Sequence, residues 1–279
     1  MSVSTPKALV TTDWLAGHLE DSSLVVAEVD EDPDLYDEGH IPGAVKLHWK
    51  HDLQDPLVRD VVSDAVFEQL MGERGIASDS TVVLYGDKNN WFAAYAYWYL
   101  KVFRHEDVRL LDGGRQKWIE EGRELTLIAP APAPVAYTAK DRDEAIRVRR
   151  DEVLAGLGAP GIALLDVRSP QEFAGELVAP PGYEQEGASR AGHIPGAQLI
   201  PWATAVRDDG TFKSLDELLE IYGAKGITPD KEIRAYCRIG ERSAHTWFVL
   251  QELLGYENVR NYDGSWTEWG NLVDVPIER

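Results

Sequence analysis

Short apolar runs and helix-spaced apolar positions alternate along this chain. Ile162–Val167 (IALLDV) has the length and composition of a buried strand. Ser214–Tyr222 predicts a helix, with Ser214 as its N-cap and Glu217 three residues on, in capping-box spacing. Glu232–Tyr236 reads as another strand, followed by a loop and a helix ending near Gly255, in which Ala244, Trp247, Phe248 and Leu254 fall at helical spacing. Val259–Tyr262 is a further strand before the turn DGSW. Such alternation implies an α/β fold, a mostly parallel sheet with helices on both faces. Ligands of such sheets sit beyond the carboxyl ends of strands, where loops meet helix N-termini. Cys237 falls at that place.

The pattern occurs twice. The segment beginning YGDKNNWFAAYAYWYL at Tyr85 matches the one beginning YCRIGERSAHTWFVLQ at Tyr236, 151 positions later and without a gap to Trp118 and Trp269. Glu106/Glu257, Val108/Val259, Arg109/Arg260, Asp112/Asp263 and Gly113/Gly264 are matching pairs. HIPGA stands at His40–Ala44 and again at His193–Ala197, now 153 apart, a drift that differing loop lengths would produce. Between the copies, Ala129–Pro134 (APAPAP) predicts a stiff extended spacer that cannot continue a helix. The expected division is residues 1–128, a Pro-rich linker over 129–143, and residues 144–279.

Composition narrows the partners. The 279 residues carry a net charge of −20, which argues against nucleic acid or an anionic membrane, and obliges any anionic substrate to find a locally positive pocket. A single cysteine excludes an intrachain disulfide. The opening MSVSTPKALVTTDW lacks the pattern of a secretory signal, and the most apolar run, Trp91–Leu100, is too short to span a bilayer. These features read as a cytoplasmic protein with a reduced thiol, and the duplicated halves suggest a monomer.

The loop after Glu232–Tyr236 is Cys237, Arg238, Ile239, Gly240, Glu241, Arg242, with Ser243 opening the helix. A helix N-terminus and nearby cations are expected to lower a thiol's pKa, and curled backbone N–H groups can cradle an anion. Arg238 and Arg242 would add the positive charge that the chain otherwise lacks. A lone cysteine is commonly a small buried hydrophobe, but two arginines within five residues make poor packing chemistry and good anion chemistry. In the first copy Gly86 takes the Cys237 position, followed by Asp87, Lys88, Asn89, Asn90 and Trp91. One nucleophilic site per chain, in the second copy, is expected.

These motifs together resemble those of tandem-domain rhodaneses over nearly the whole chain. Tyr36–Ala44 (YDEGHIPGA) is similar to the family's N-terminal signature and Tyr262–Trp269 (YDGSWTEW) to its C-terminal one; Asp166-Val167-Arg168 before the second HIPGA is similar to its domain opening. The resemblance implies two rhodanese-like domains, the first inactive, and a ping-pong cycle needing no metal or organic cofactor. Cys237 would attack the outer sulfur of thiosulfate, release sulfite, hold a persulfide, and pass the sulfur to cyanide or a thiol. The family's lysine two residues after the cysteine is here Ile239, and its arginine four residues after the Arg168 position is here Glu172, so Arg242 is expected to hold the sulfonate, with Arg238 as a second substrate cation. Relatives that use 3-mercaptopyruvate carry glycine and then serine or threonine after the cysteine; Arg238 and Ile239 stand there, which favours thiosulfate. Cysteine phosphatases of related fold place five residues between cysteine and arginine, against four here, and a sulfur-relay module without turnover is a further alternative. His40 and His193 are read as structural turn residues, His245 as packing or solvated, and His48 and His51 have no carboxylate or cysteine partners at metal spacing, so no metal site is expected. Residues 174–192 read as an insertion over the active domain, in which Arg190 is a solvated loop charge more readily than a substrate contact, and Trp202 beyond it a core or pocket-wall residue.

Overall fold

The computed structural model describes residues 7–183 and 187–279; residues 184–186 of the expected insertion, and the first six of the N-terminal segment, lie outside them. The chain forms two compact units, residues 1–143 with 206–212, and residues 144–205 with 213–279.

The first unit holds β1 (Leu9–Val10), α1 (Thr12–Ala16), β2 (Leu24–Glu28), α2 (Leu35–Glu38), β3 (Val45–Lys46), α3 (Asp64–Glu73), β4 (Thr81–Tyr85), α4 (Asp87–Val102), β5 (Val108–Leu111) and α5 (Gly114–Glu120). Its five strands lie in the order β1-β5-β4-β2-β3, every neighbouring pair parallel. Buried on both faces, β4 (TVVLY) can be apolar throughout. Val26, Val83, Tyr85, Leu111 and Trp118 form its core, and the aromatic run Trp91–Tyr99 is buried in α4.

The Pro-rich stretch 129–143 carries no helix or strand and lies along this unit: Val135 N–H donates to the Gly72 carbonyl (3.1 Å), and Tyr137 Oη stands 2.9 Å from His105 Nδ1. Residues 206–212, which the sequence assigns to the second copy, also group here. They form a small hairpin in which Phe212 N–H donates to Asp112 Oδ1 (2.9 Å) and Asp209 pairs with Lys117 (2.9 Å).

The second unit holds α6 (Arg150–Ala155), β6 (Ile162–Asp166), α7 (Pro170–Ala174), β7 (Gln198–Leu199), α8 (Leu215–Gly223), β8 (Glu232–Tyr236), α9 (Glu241–Phe248), β9 (Val259–Tyr262) and α10 (Ser265–Trp269). Four parallel strands run β7-β6-β8-β9, which places β8 between two neighbours. The Ser214–Glu217 capping box opens α8 as expected. A π-helical turn, Val249–Leu253, continues α9. Its wider winding shifts the register, so Leu253 is buried and Leu254, expected on the apolar face, is half-buried.

Both HIPGA segments are structural turns. His40 Nδ1 lies 2.9 Å from the Tyr36 carbonyl oxygen with its ring stacked on Tyr36, and His193 repeats this on Phe173 at 2.9 Å. Arg190 is not a solvated charge. Its guanidinium donates to the carbonyls of Trp269 (3.3 Å), Leu272 (2.5 Å) and Val275 (3.2 Å), tying down the end of α10 and the segment that follows it.

Candidate functional site

Because every strand of the second sheet is parallel, their carboxyl ends lie together, and β8 delivers Cys237 between the ends of β6 and β9. Cys237 is fully buried. Its N–H donates to Ser265 Oγ (3.0 Å), and that hydroxyl donates to the Tyr262 carbonyl (2.7 Å), which pins the start of the loop to the end of β9. The chain then turns back over the sulfur, so that Gly240 N–H donates to Cys237 Sγ (3.1 Å). Asn261 holds this turn from below, its Nδ2 donating to the Gly240 carbonyl (3.0 Å) while its Oδ1 accepts from Ser243 Oγ (2.6 Å).

Gly240 has φ +100, and a Cβ there would stand 2.7 Å from Asp263 Cα. A side chain therefore meets both left-handed backbone strain, about 1–2 kcal/mol, and a backbone clash. Gly240→Ala is expected to lower the thermal midpoint of the second unit and to lift the Gly240 amide off the sulfur. Calorimetry together with intact-mass measurement of sulfur loading on Cys237 checks this; wild-type values in both would contradict it.

Both arginines lie at the site, but neither is the bare cation that the sequence suggested. Arg242 forms a two-pronged pair with Glu172 of α7, Nη1 to Oε2 at 2.9 Å and Nη2 to Oε1 at 3.0 Å, with both side chains buried. Burial pushes the Glu172 carboxyl up, but the hydrogen bonds and charge of Arg242 outweigh it and hold the group at about 2. Glu172 is also the N3 residue of the Ser169 capping box, which fixes its position. Arg238 stands 3.7 Å from Glu241 Oε1 and lies over the Tyr183 ring, 4.8 Å from its centre, so the insertion does reach the loop.

The expectation of a lowered thiol pKa is overturned. Burial is the largest effect and pushes the Cys237 thiol above its ordinary value, and the Glu241 carboxylate, whose Oε2 accepts from Sγ at 3.5 Å, pushes it further. Arg242 and the N–H groups of Ser243 and Gly240 act the other way without prevailing. Glu172 and Glu241 are thus the site residues missed from the sequence. Their signals were present: Ser169 and Glu172 in capping-box spacing, and Glu241 four residues after the cysteine.

The remaining expected residues lie close by. Asp166 holds Arg168 in a buried pair (2.6 Å), and Arg168 donates to the Gly192 carbonyl (2.7 Å). Trp202 meets buried His245 edge-on, 5.1 Å between centres. Among the described residues, no three His, Cys, Asp or Glu side chains come together so as to hold a metal ion, and no helix is long and apolar enough to cross a membrane.

In the first unit the corresponding loop is closed on itself. Lys88, Asn89 and Asn90 are left-handed (φ 43, 60 and 60). Asn90 Oδ1 accepts from Gly86 N–H (3.0 Å), and its Nδ2 donates to the Leu111 carbonyl (2.6 Å). A side-chain amide therefore takes the amide hydrogen at the head of this loop.

Comparison with known proteins gives concordant matches. The family model for the rhodanese-like domain matches residues 11–121 and 149–272. A sulfur carrier protein of Thermus thermophilus, TtuD, is 59% identical across 100% of this chain and 99% of its own. A protein of Saccharopolyspora erythraea described as "Putative thiosulfate sulfurtransferase" is 58% identical over 99% and 98% of the two chains. Among solved structures, the anaerobic ergothioneine biosynthesis enzyme from Chlorobium limicola, in complex with its natural substrate trimethyl histidine, superposes with a TM-score of 0.84 at 27% identity, covering 98% of this chain and 70% of that one.

Proposed function

The chain belongs to the rhodanese-like family, whose chemistry is sulfur transfer, and from that premise we propose that it moves the outer sulfur of thiosulfate through a Cys237 persulfide to a thiol or cyanide. The observation that carries this reading is the placement of Cys237 at the carboxyl end of β8, with the amides of Gly240 and Ser243 turned on its sulfur. Those dipoles, fixed before substrate arrives, are suited to the terminal anion of a persulfide and to the departing sulfite. Arg242 is held so that its charge acts on Cys237, and Arg238 stands on the loop beside Tyr183; both serve as anion contacts in this reading. Ile239 offers no hydroxyl at the position where a mercaptopyruvate-type relay needs one, which supports thiosulfate as donor. The name of the Thermus relative, a sulfur carrier protein, is compatible with a protein thiol as acceptor.

The direct experiment is intact-mass measurement after thiosulfate treatment and desalting. The wild type is expected to gain the mass of one sulfur atom and to lose it on addition of cyanide or a thiol, and Cys237→Ser is expected to gain nothing. A wild type that gains no mass, or a Cys237→Ser variant that does, refutes the assignment.

A further inference from the structure

Resting on that reading, we propose that Glu241 is a catalytic base, taking the proton of the Cys237 thiol as its sulfur attacks the donor. The two oxygens of its carboxylate are committed differently. Oε1 faces Arg238 Nη2 at 3.7 Å, while Oε2 accepts the S–H of Cys237 at 3.5 Å. A carboxylate present only to balance Arg238 would have no need to turn its second oxygen to the sulfur. Sulfur, carboxylate and Arg238 are all almost wholly buried.

Burial is what makes an internal acceptor necessary. Releasing the proton to solvent would add a free anion to a site closed to water, where an uncompensated charge is strongly disfavoured. The charges around Glu241 are largely matched by partners of their own, and the pull of Arg242 on the sulfur does not outweigh burial. Arg238 faces Glu241 itself, Arg242 is matched by Glu172 of α7, and Asp263, packed against Gly240 from the end of β9, is held by Arg147 at 2.6 Å. His245 lies one turn further along α9. Moving the proton from Sγ to Oε2 leaves the charge of the pocket unchanged while producing the nucleophile.

The step balances. The Cys237 S–H bond breaks and its proton passes to Glu241. The sulfur bonds to the outer sulfur of thiosulfate, and the S–S bond of the donor breaks with its electron pair going to sulfite. The proton then leaves with sulfite as hydrogen sulfite, so Cys237 holds a persulfide anion and Glu241 is again a carboxylate. No external oxidant or reductant takes part.

The test follows persulfide formation in full-length wild type and Glu241→Gln under single-turnover conditions across a range of pH. The wild type is expected to show a rate nearly flat through neutrality. Glu241→Gln is expected to be about 100-fold slower at neutral pH, within the usual range for loss of a general base, and to climb about tenfold per pH unit toward the thiol titration, with no rise in the thiosulfate KM. Its ultraviolet thiolate titration should move down, since a charge that holds the proton on sulfur has gone. A slower attack combined with an easier ionisation is a signature that mere damage to the loop would not give. Should Glu241→Gln fail to fold, Glu241→Asp carries the test: a slower rate at unchanged KM supports the base, and an unaltered rate overturns it. Equal rates and equal profiles for wild type and Glu241→Gln overturn the role of Glu241 alone. A wild type that takes no sulfur from thiosulfate overturns the donor on which the proposal rests.

Discussion

Replacing Glu172 by glutamine is expected to destabilise the second unit by about 3–5 kcal/mol at neutral pH, the usual result of leaving one partner of a buried ion pair without the other. Arg242 keeps its charge at any accessible pH and is almost wholly buried, so the loss of the opposing negative charge and of one of its two acceptor oxygens cannot be repaired by turning to water. Glutamine preserves the shape of the side chain and its place in the capping box, which isolates the charge as the variable. The pH dependence provides a second measurement of the same pair. Glu172 titrates at about 2 in the folded protein, well below an ordinary glutamate. A depressed carboxyl contributes stability that is complete above its unfolded value and lost as pH falls through its folded value. The wild type should therefore shed about 3 kcal/mol on going from about pH 4.5 to about pH 2, and Glu172→Gln should lack that component. Urea unfolding across this acid range checks both statements. Equal neutral-pH stabilities would show that Arg242 finds other compensation.

The second large effect concerns the first unit. Gly86→Cys, which restores a thiol at the position matching Cys237, is expected to yield no second persulfide site and to destabilise its host. A Cβ at Gly86 would stand 2.1 Å from the Val29 carbonyl oxygen, a backbone atom that cannot move without disturbing the end of β2. The Gly86 amide is already engaged by Asn90, and the Asp87 amide by Asp30 Oδ1 at 2.8 Å. Where the active loop gives the Cys237 amide to Ser265 Oγ and turns the Gly240 amide onto sulfur, this one gives the matching Gly86 amide to its own Asn90. The expected result is an unchanged maximum of one sulfur per chain, with a thermal midpoint lowered by several degrees, as a loss of 1–3 kcal/mol from overpacking implies. Two sulfurs per chain on thiosulfate treatment would contradict it.

The fold was legible because its signals are local. Apolar runs such as IALLDV, the strand reading of Glu232–Tyr236, the Ser214–Glu217 box and the repeat at Tyr85 and Tyr236 each report on a few neighbouring residues, and the parallel α/β arrangement follows from their order. Cys237 was legible for the same reason, since a strand end followed by a helix start locates it in this kind of sheet. The electrostatics of the site were not. Arg238 and Arg242 count as two cations in the sequence, but Glu172 lies 70 positions from Arg242 and meets it only through the packing of α7 beside α9. Glu172 had been read as the loss of an expected cation, when its position supplies an anion to the arginine that remains. Arg190 was misread similarly, because the carbonyls it serves, at the end of α10 and just beyond it, lie 79 to 85 positions away. The register slip at Leu253 was hidden because a π-turn leaves no distinctive trace in composition.

The hairpin at 206–212 has a consequence for synthesis. It belongs to the first unit, yet it is encoded after β6, α7 and β7 of the second. Domains emerging from a ribosome fold in the order in which they are made, but here the earlier one cannot be finished when its own stretch of chain is complete. Until Asp209 and Phe212 have left the exit tunnel, Lys117 has Glu121 beside it but not Asp209, and Asp112 lacks the Phe212 N–H. The nascent first half waits on the second for its final pieces, and a ribosome that stops before residue 212 releases a first half still missing them.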